Sequence, residues 1–67
     1  MTVTVNESPL DLPDASDLGH LLREMGIEAK PGVAVAVNGN VVAKADWETT
    51  TLCSNDRILL IQATQGG

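Results

Sequence analysis

The run Asp17-Leu18-Gly19-His20-Leu21-Leu22-Arg23-Glu24-Met25-Gly26 decides the fold. Leu18, Leu21, Leu22 and Met25 recur at i, i+3, i+4 and i+7, which predicts a helix with one apolar stripe. Ahead of it, Asp14-Ala15-Ser16-Asp17 is rich in side chains that cap helix N-termini. Acidic residues before the stripe and Arg23 near its end suit the helix dipole. Gly26 can take the left-handed conformation that closes a helix. Gly19 costs about 1 kcal/mol of helix propensity relative to alanine, so this short helix depends on packing.

Strand signals lie on both sides of the helix. Upstream, Thr2 to Val5 alternates polar and apolar, placing Val3 and Val5 on one face. Asn6-Glu7-Ser8-Pro9 reads as a turn, Leu10-Asp11-Leu12 as the second strand of a hairpin, and Pro13 stops it. Downstream of the connector Lys30-Pro31-Gly32, the unbroken Val/Ala run Val33 to Val37 predicts a strand buried on both faces and central in the sheet. Asn38-Gly39 is the strongest short hairpin signal, since both residues tolerate positive φ. Val41-Val42-Ala43 returns as a short strand. Lys44 to Leu52 has no clean period, and Trp47 anchors it against the core edge. After the turn Ser54-Asn55-Asp56, Arg57-Ile58-Leu59-Leu60-Ile61-Gln62 forms the last strand.

The order is strand, strand, helix, strand, short strand, strand. The helix bridges the second and third strands and covers one face of a mixed sheet of about five. The expected fold class is α+β, a β-grasp. It forms one domain over residues 1–67, with a flexible tail over 63–67.

Composition narrows the function. A chain of 67 residues buries only about 60% of the surface its unfolded form exposes, leaving little room for a deep active site. The core must be aliphatic, because Trp47 is the only aromatic residue. A net charge of −5, from nine acidic and four basic residues, argues against nucleic acid, whose phosphates require a cationic face. It would steer the protein toward a basic partner. The single cysteine, Cys53, allows no internal disulfide, and no Cys/His cluster suggests a metal. Neither a signal peptide nor a membrane span is apparent, so the expected location is the cytoplasm.

Conventional catalytic motifs are missing: there is no P-loop, no GxGxxG and no GxSxG elbow. His20 is expected on a solvent-facing part of the helix, with no carboxylate to orient it. Cys53 reads better as a buried structural thiol than as a nucleophile. Asp46 and Glu48, beside Trp47, read as surface charges.

The C-terminal end is different. Ile58 and Leu60 share the inward face of the last strand, leaving Leu59 and Ile61 outward, next to a tail that ends Gly66-Gly67. An exposed aliphatic pair beside such a tail suggests a docking patch. Glycine pairs thread narrow channels, and four extended residues from Thr64 reach roughly 13–14 Å into a partner. The Gly67 carboxylate is inert until activated, for which acyl-adenylation by ATP followed by attack of a sulfur nucleophile is a suitable route.

Taken together, Val3-Thr4-Val5-Asn6, Leu18-Gly19-His20-Leu21-Leu22, Val35-Ala36-Val37-Asn38-Gly39, Val42, the Trp47 segment and Asp56 to Ile61 through Gly66-Gly67 resemble the ThiS family. These are the ubiquitin-like sulfur carriers of thiazole synthesis in the thiamin pathway. The resemblance implies a carrier rather than an enzyme, with no catalytic side chain and no bound cofactor or metal. A ThiF-type enzyme would use ATP to adenylate Gly67, and a donor such as a cysteine desulfurase persulfide would supply sulfur. The Gly67 thiocarboxylate would then serve a ThiG-type thiazole synthase. Leu59 and Ile61 would dock both partners and Gly66 would thread the tail, with no role for nucleic acid or membrane. The chain departs from the family where Glu7 replaces a frequent glycine and Asn55-Asp56 replaces Gly-Asp. Its tail Ala63-Thr64-Gln65 is also more polar. Alternative readings are a MoaD-like small subunit of molybdopterin synthase, a ubiquitin-like protein modifier and an interaction module with an inert Gly-Gly.

Overall fold

The computed structural model describes residues 1–27 and 30–62. Its elements are β1 (Thr2–Val5), β2 (Ser8–Asp11), α1 (Leu18–Glu24), β3 (Val33–Val37), β4 (Asn40–Val42), a 3-10 helix (Lys44–Thr49) and β5 (Arg57–Gln62). The five strands form one sheet in the order β2-β1-β5-β3-β4. β1 and β5 are parallel, while β1–β2, β3–β5 and β3–β4 are antiparallel. β2 and β3 therefore run in the same direction, as a helical crossover requires, with β1 and β5 between them.

The helix forms as its spacing predicts. Asp17 is the N-cap, and its carboxylate accepts the His20 N–H at 2.7 Å. At the other end Gly26 sits at φ +69°, its N–H donating to Arg23 O and that of Ile27 to Leu22 O. This pair of bonds is a Schellman closure. Leu18, Leu21 and Leu22 are fully buried, but Met25 is the C-cap and 40% exposed, so the stripe ends one turn early. The helix packs on the inner face of the sheet, where Val3, Val5, Val35 and Ile58 join the leucines with Leu12, Leu52 and Trp47. The indole of Trp47 lies against the core and its Nε1–H donates to Val42 O at 3.0 Å.

Two expectations about strands need correction. β5, not β3, holds the middle of the sheet, and β3 is not buried on both faces. Within β3, Val35 is buried while Ala34 is exposed. The apparently uniform run is an alternation of size, with valines toward the helix and alanines outward. The first hairpin also turns sooner than expected. Asn6 and Glu7 alone make the turn, both at positive φ, so β2 begins at Ser8 and includes Pro9. Because β2 is an edge strand, the missing proline donor costs it no ladder bond.

The turn before β5 follows expectation, with Asn55 at φ +71°. Asp56 accepts the Cys53 N–H through one carboxylate oxygen and the Asn38 side-chain amide through the other. Asn38 Oδ1 in turn accepts the Arg57 N–H, so the β3–β4 turn holds the start of the central strand.

Candidate docking face and tail

β5 alternates from Arg57 through Ile61. Ile58 is 3% exposed and Leu60 packs against the core, whereas Leu59 and Ile61 are 50% and 56% exposed. The outward placement of both candidate docking residues is thus a consequence of a two-residue period running through a one-sided sheet. Register then decides their neighbours. Leu59 stands opposite Ala36 and Ile61 opposite Ala34, and Ala36 stands opposite Val41 on its other side. Small alanines between larger side chains leave a shallow apolar trough across three strands. Val41, the most exposed large aliphatic residue at 80%, forms its far wall.

Two residues that the sequence does not mark as candidates for docking complete this face. Arg57 and Glu7 line an open cavity of about 210 Å³ together with Leu59 and Ala36. These residues come from three separate segments, brought together by the parallel pairing of β1 with β5 and the antiparallel pairing of β3 with β5. Nothing local in the sequence marks them as neighbours. The one available signal was the position of Glu7 where glycine is frequent in the resembling family.

The chain continues from Gln62 at the end of β5 toward Gly66 and Gly67, which lie outside the described residues, as does the expected flexible tail. The other candidates stand apart from the docking face. His20 is on the helix, partly exposed, and its Nε2 is 3.5 Å from a carboxylate oxygen of Glu24. A carboxylate does therefore stand beside it, one helical turn on, contrary to expectation. Cys53 is exposed rather than buried, because it lies in the loop between the 3-10 helix and β5. Asp46 and Glu48 are surface residues, and Glu48 pairs with Arg23 of the helix. Among the described residues no group of three or more His, Cys, Asp or Glu could hold a metal. Among them, too, no helix is long and apolar enough to cross a membrane.

Comparison with known proteins agrees with this architecture. The fold is similar to the crystal structure of a thiamine biosynthesis protein (ThiS) from Geobacter metallireducens, with a TM-score of 0.83 at 25% identity and 100% of both chains covered. It is similar as well to a solution NMR structure of a thiamine biosynthesis protein from the same organism. That match has a TM-score of 0.80 at 26% identity, covering all of this chain and 88% of the other. No curated protein matches the sequence significantly. The profile of the ThiS family matches residues 1–67. A β-grasp sheet that superposes on a ThiS protein, joined to a family match over this entire length, establishes that the chain belongs to the ThiS family.

Proposed function

We propose that the protein is a sulfur carrier for thiazole formation in thiamine biosynthesis, acting through the carboxylate of Gly67. The observation that carries the reading is the construction of β5. This central strand is clamped on both sides, presents Leu59 and Ile61 to solvent, and leads directly toward the Gly-Gly end. Family membership supports the same conclusion.

In this scheme a ThiF-type enzyme binds the exposed face of β5 and receives the tail in its active site. The Gly67 carboxylate attacks the α-phosphorus of ATP, releasing pyrophosphate and forming an acyl-adenylate. The terminal sulfur of a persulfide, from a donor such as a cysteine desulfurase, displaces AMP to give an acyl disulfide. A thiol then attacks the inner sulfur, reducing the disulfide and freeing the thiocarboxylate. A ThiG-type thiazole synthase is the acceptor. The carrier itself supplies a shaped surface and a reachable carboxylate, with the chemistry performed by its partners. Cytoplasmic residence follows from those partners.

Intact-mass measurement after incubation with ATP, a ThiF-type enzyme and a sulfur donor tests this. Replacement of one oxygen by one sulfur, abolished by deleting Gly67, is the expected result. An unchanged mass in the presence of an enzyme that charges another carrier would refute the proposal. An amide bond to a lysine of another protein would instead identify a protein modifier.

A further inference from the structure

Glu7 occupies the second position of the β1–β2 turn at φ +72°, in the left-handed region that disfavours side chains with a Cβ. Nothing within the fold offsets that cost. The side chain is exposed and makes no hydrogen bond or ion pair with the other described residues. Glycine would satisfy the turn without strain. Backbone strain retained without internal compensation directs attention to what the side chain faces. Glu7 faces the open cavity of about 210 Å³ whose lining includes Leu59, Ala36, Thr4 and Arg57.

We propose that Glu7 is a recognition residue, receiving a lysine or arginine of the adenylating partner as an aliphatic side chain of that partner enters the neighbouring cavity. This inference rests on the carrier reading above. Three observations select a protein segment of that chemistry. The cavity is continuous with the exposed face of β5, so whatever grips Leu59 also reaches Glu7. Its lining combines an aliphatic side chain with one carboxylate and one guanidinium, a pattern that fixes the orientation of an incoming charged loop. The chain carries a net charge of −5, so a partner approaching it is drawn in by a cationic surface. Glu7 gives that long-range attraction a local contact point.

The test uses the full chain and a purified ThiF-type enzyme, measuring the Kd of the complex and ATP–pyrophosphate exchange for the parent, Glu7→Gln and Glu7→Gly. Both variants are expected to bind about tenfold more weakly at low salt, with a difference that shrinks as ionic strength rises. Glu7→Gly is expected to bind weakly despite a relaxed turn, which separates recognition from folding. Affinities within about twofold of the parent for both variants would overturn the proposal and leave the carrier reading standing. Weak binding by Glu7→Gly with parental binding by Glu7→Gln would overturn it too, since turn geometry rather than charge would then be responsible. A parent chain that the enzyme neither binds nor adenylates would refute the carrier reading, and this proposal with it.

Discussion

The side-chain amide of Asn6 pairs with the backbone of Leu60 as though it were one more residue of a strand. Its Oδ1 accepts the Leu60 N–H at 2.8 Å and its Nδ2 donates to the Leu60 carbonyl at 3.3 Å. β1 has already turned away at this point, so Asn6 extends the parallel pairing with β5 by a step that no backbone supplies. It also takes φ +49° in the turn. Asn6→Ala loses both bonds and favours the turn less, and is expected to cost about 1–2 kcal/mol in urea unfolding. Asn6→Asp keeps the acceptor and the tolerance of positive φ, so its loss should be smaller. Equal losses for the two variants would mean that the donated bond matters more than the accepted one.

Glu7 carries the opposite expectation for stability. Glu7→Gly relieves a left-handed glutamate, and a gain of about 1 kcal/mol follows. For a domain of this size that corresponds to a rise in Tm of roughly 4–8 °C. Thermal unfolding by circular dichroism measures it directly, and a fall in Tm would show that the side chain is stabilised where it stands.

At Gly19 two effects compete. A Cβ there would lie 2.7 Å from Cδ of Glu48, whose carboxylate pairs with Arg23. Helix propensity favours alanine by about 1 kcal/mol, while displacing an exposed ion pair costs roughly 0.2–1 kcal/mol. Glu48 is a flexible, exposed side chain and can swing aside, so Gly19→Ala is expected to be neutral or slightly stabilising. In a Glu48→Ala background the same change should deliver its full benefit. A double-mutant cycle on unfolding free energies exposes the difference.

Trp47 fills the core edge and donates to Val42 O. Trp47→Ala is expected to cost about 3–5 kcal/mol. At roughly 0.05–0.15 kcal/mol per residue, 67 residues provide only about 3–10 kcal/mol in total, so the variant should be largely unfolded on warming. Trp47→Phe keeps most of the packing and loses the hydrogen bond, at a cost of about 1–3 kcal/mol. Far-ultraviolet circular dichroism is the appropriate probe, since both changes remove the sole indole.

The exposed Cys53 predicts rapid reaction with a thiol reagent in the folded state, at a rate unaffected by mild denaturant. Cys53→Ser should alter stability by less than about 0.5 kcal/mol and leave thiocarboxylate formation intact. Loss of charging in that variant would return the thiol to the mechanism.

Much of this fold can be read from local pattern because its periods are clean. The leucines of α1 and the inward and outward residues of β5 follow from spacing, and the Asn38-Gly39 hairpin from the tolerance of both residues for positive φ. Val33 to Val37 misleads because hydropathy treats alanine and valine alike, whereas their difference in size distinguishes the two faces. Asn6-Glu7 misleads because a glutamate is not expected at positive φ, which moved the turn two residues too far. Cys53 depends on tertiary placement that its neighbours do not report. The candidate face divides in the same way. Leu59 and Ile61 are legible from alternation, while Glu7, Arg57 and Ala36 meet only through long-range strand pairing.

The position of β5 bears on how the protein is made. It follows every other described element in the chain, yet it lies between β1 and β3. Before it leaves the ribosome, the nascent chain holds two hairpins that no strand pairing joins, and isolated hairpins are marginal in water. The sheet closes through non-local pairings that come late and form slowly. A product cut short ahead of residue 57 would lack its central strand and also the segment that leads to the tail. Such fragments lack the strand on which both hairpins pair and are expected to remain unfolded.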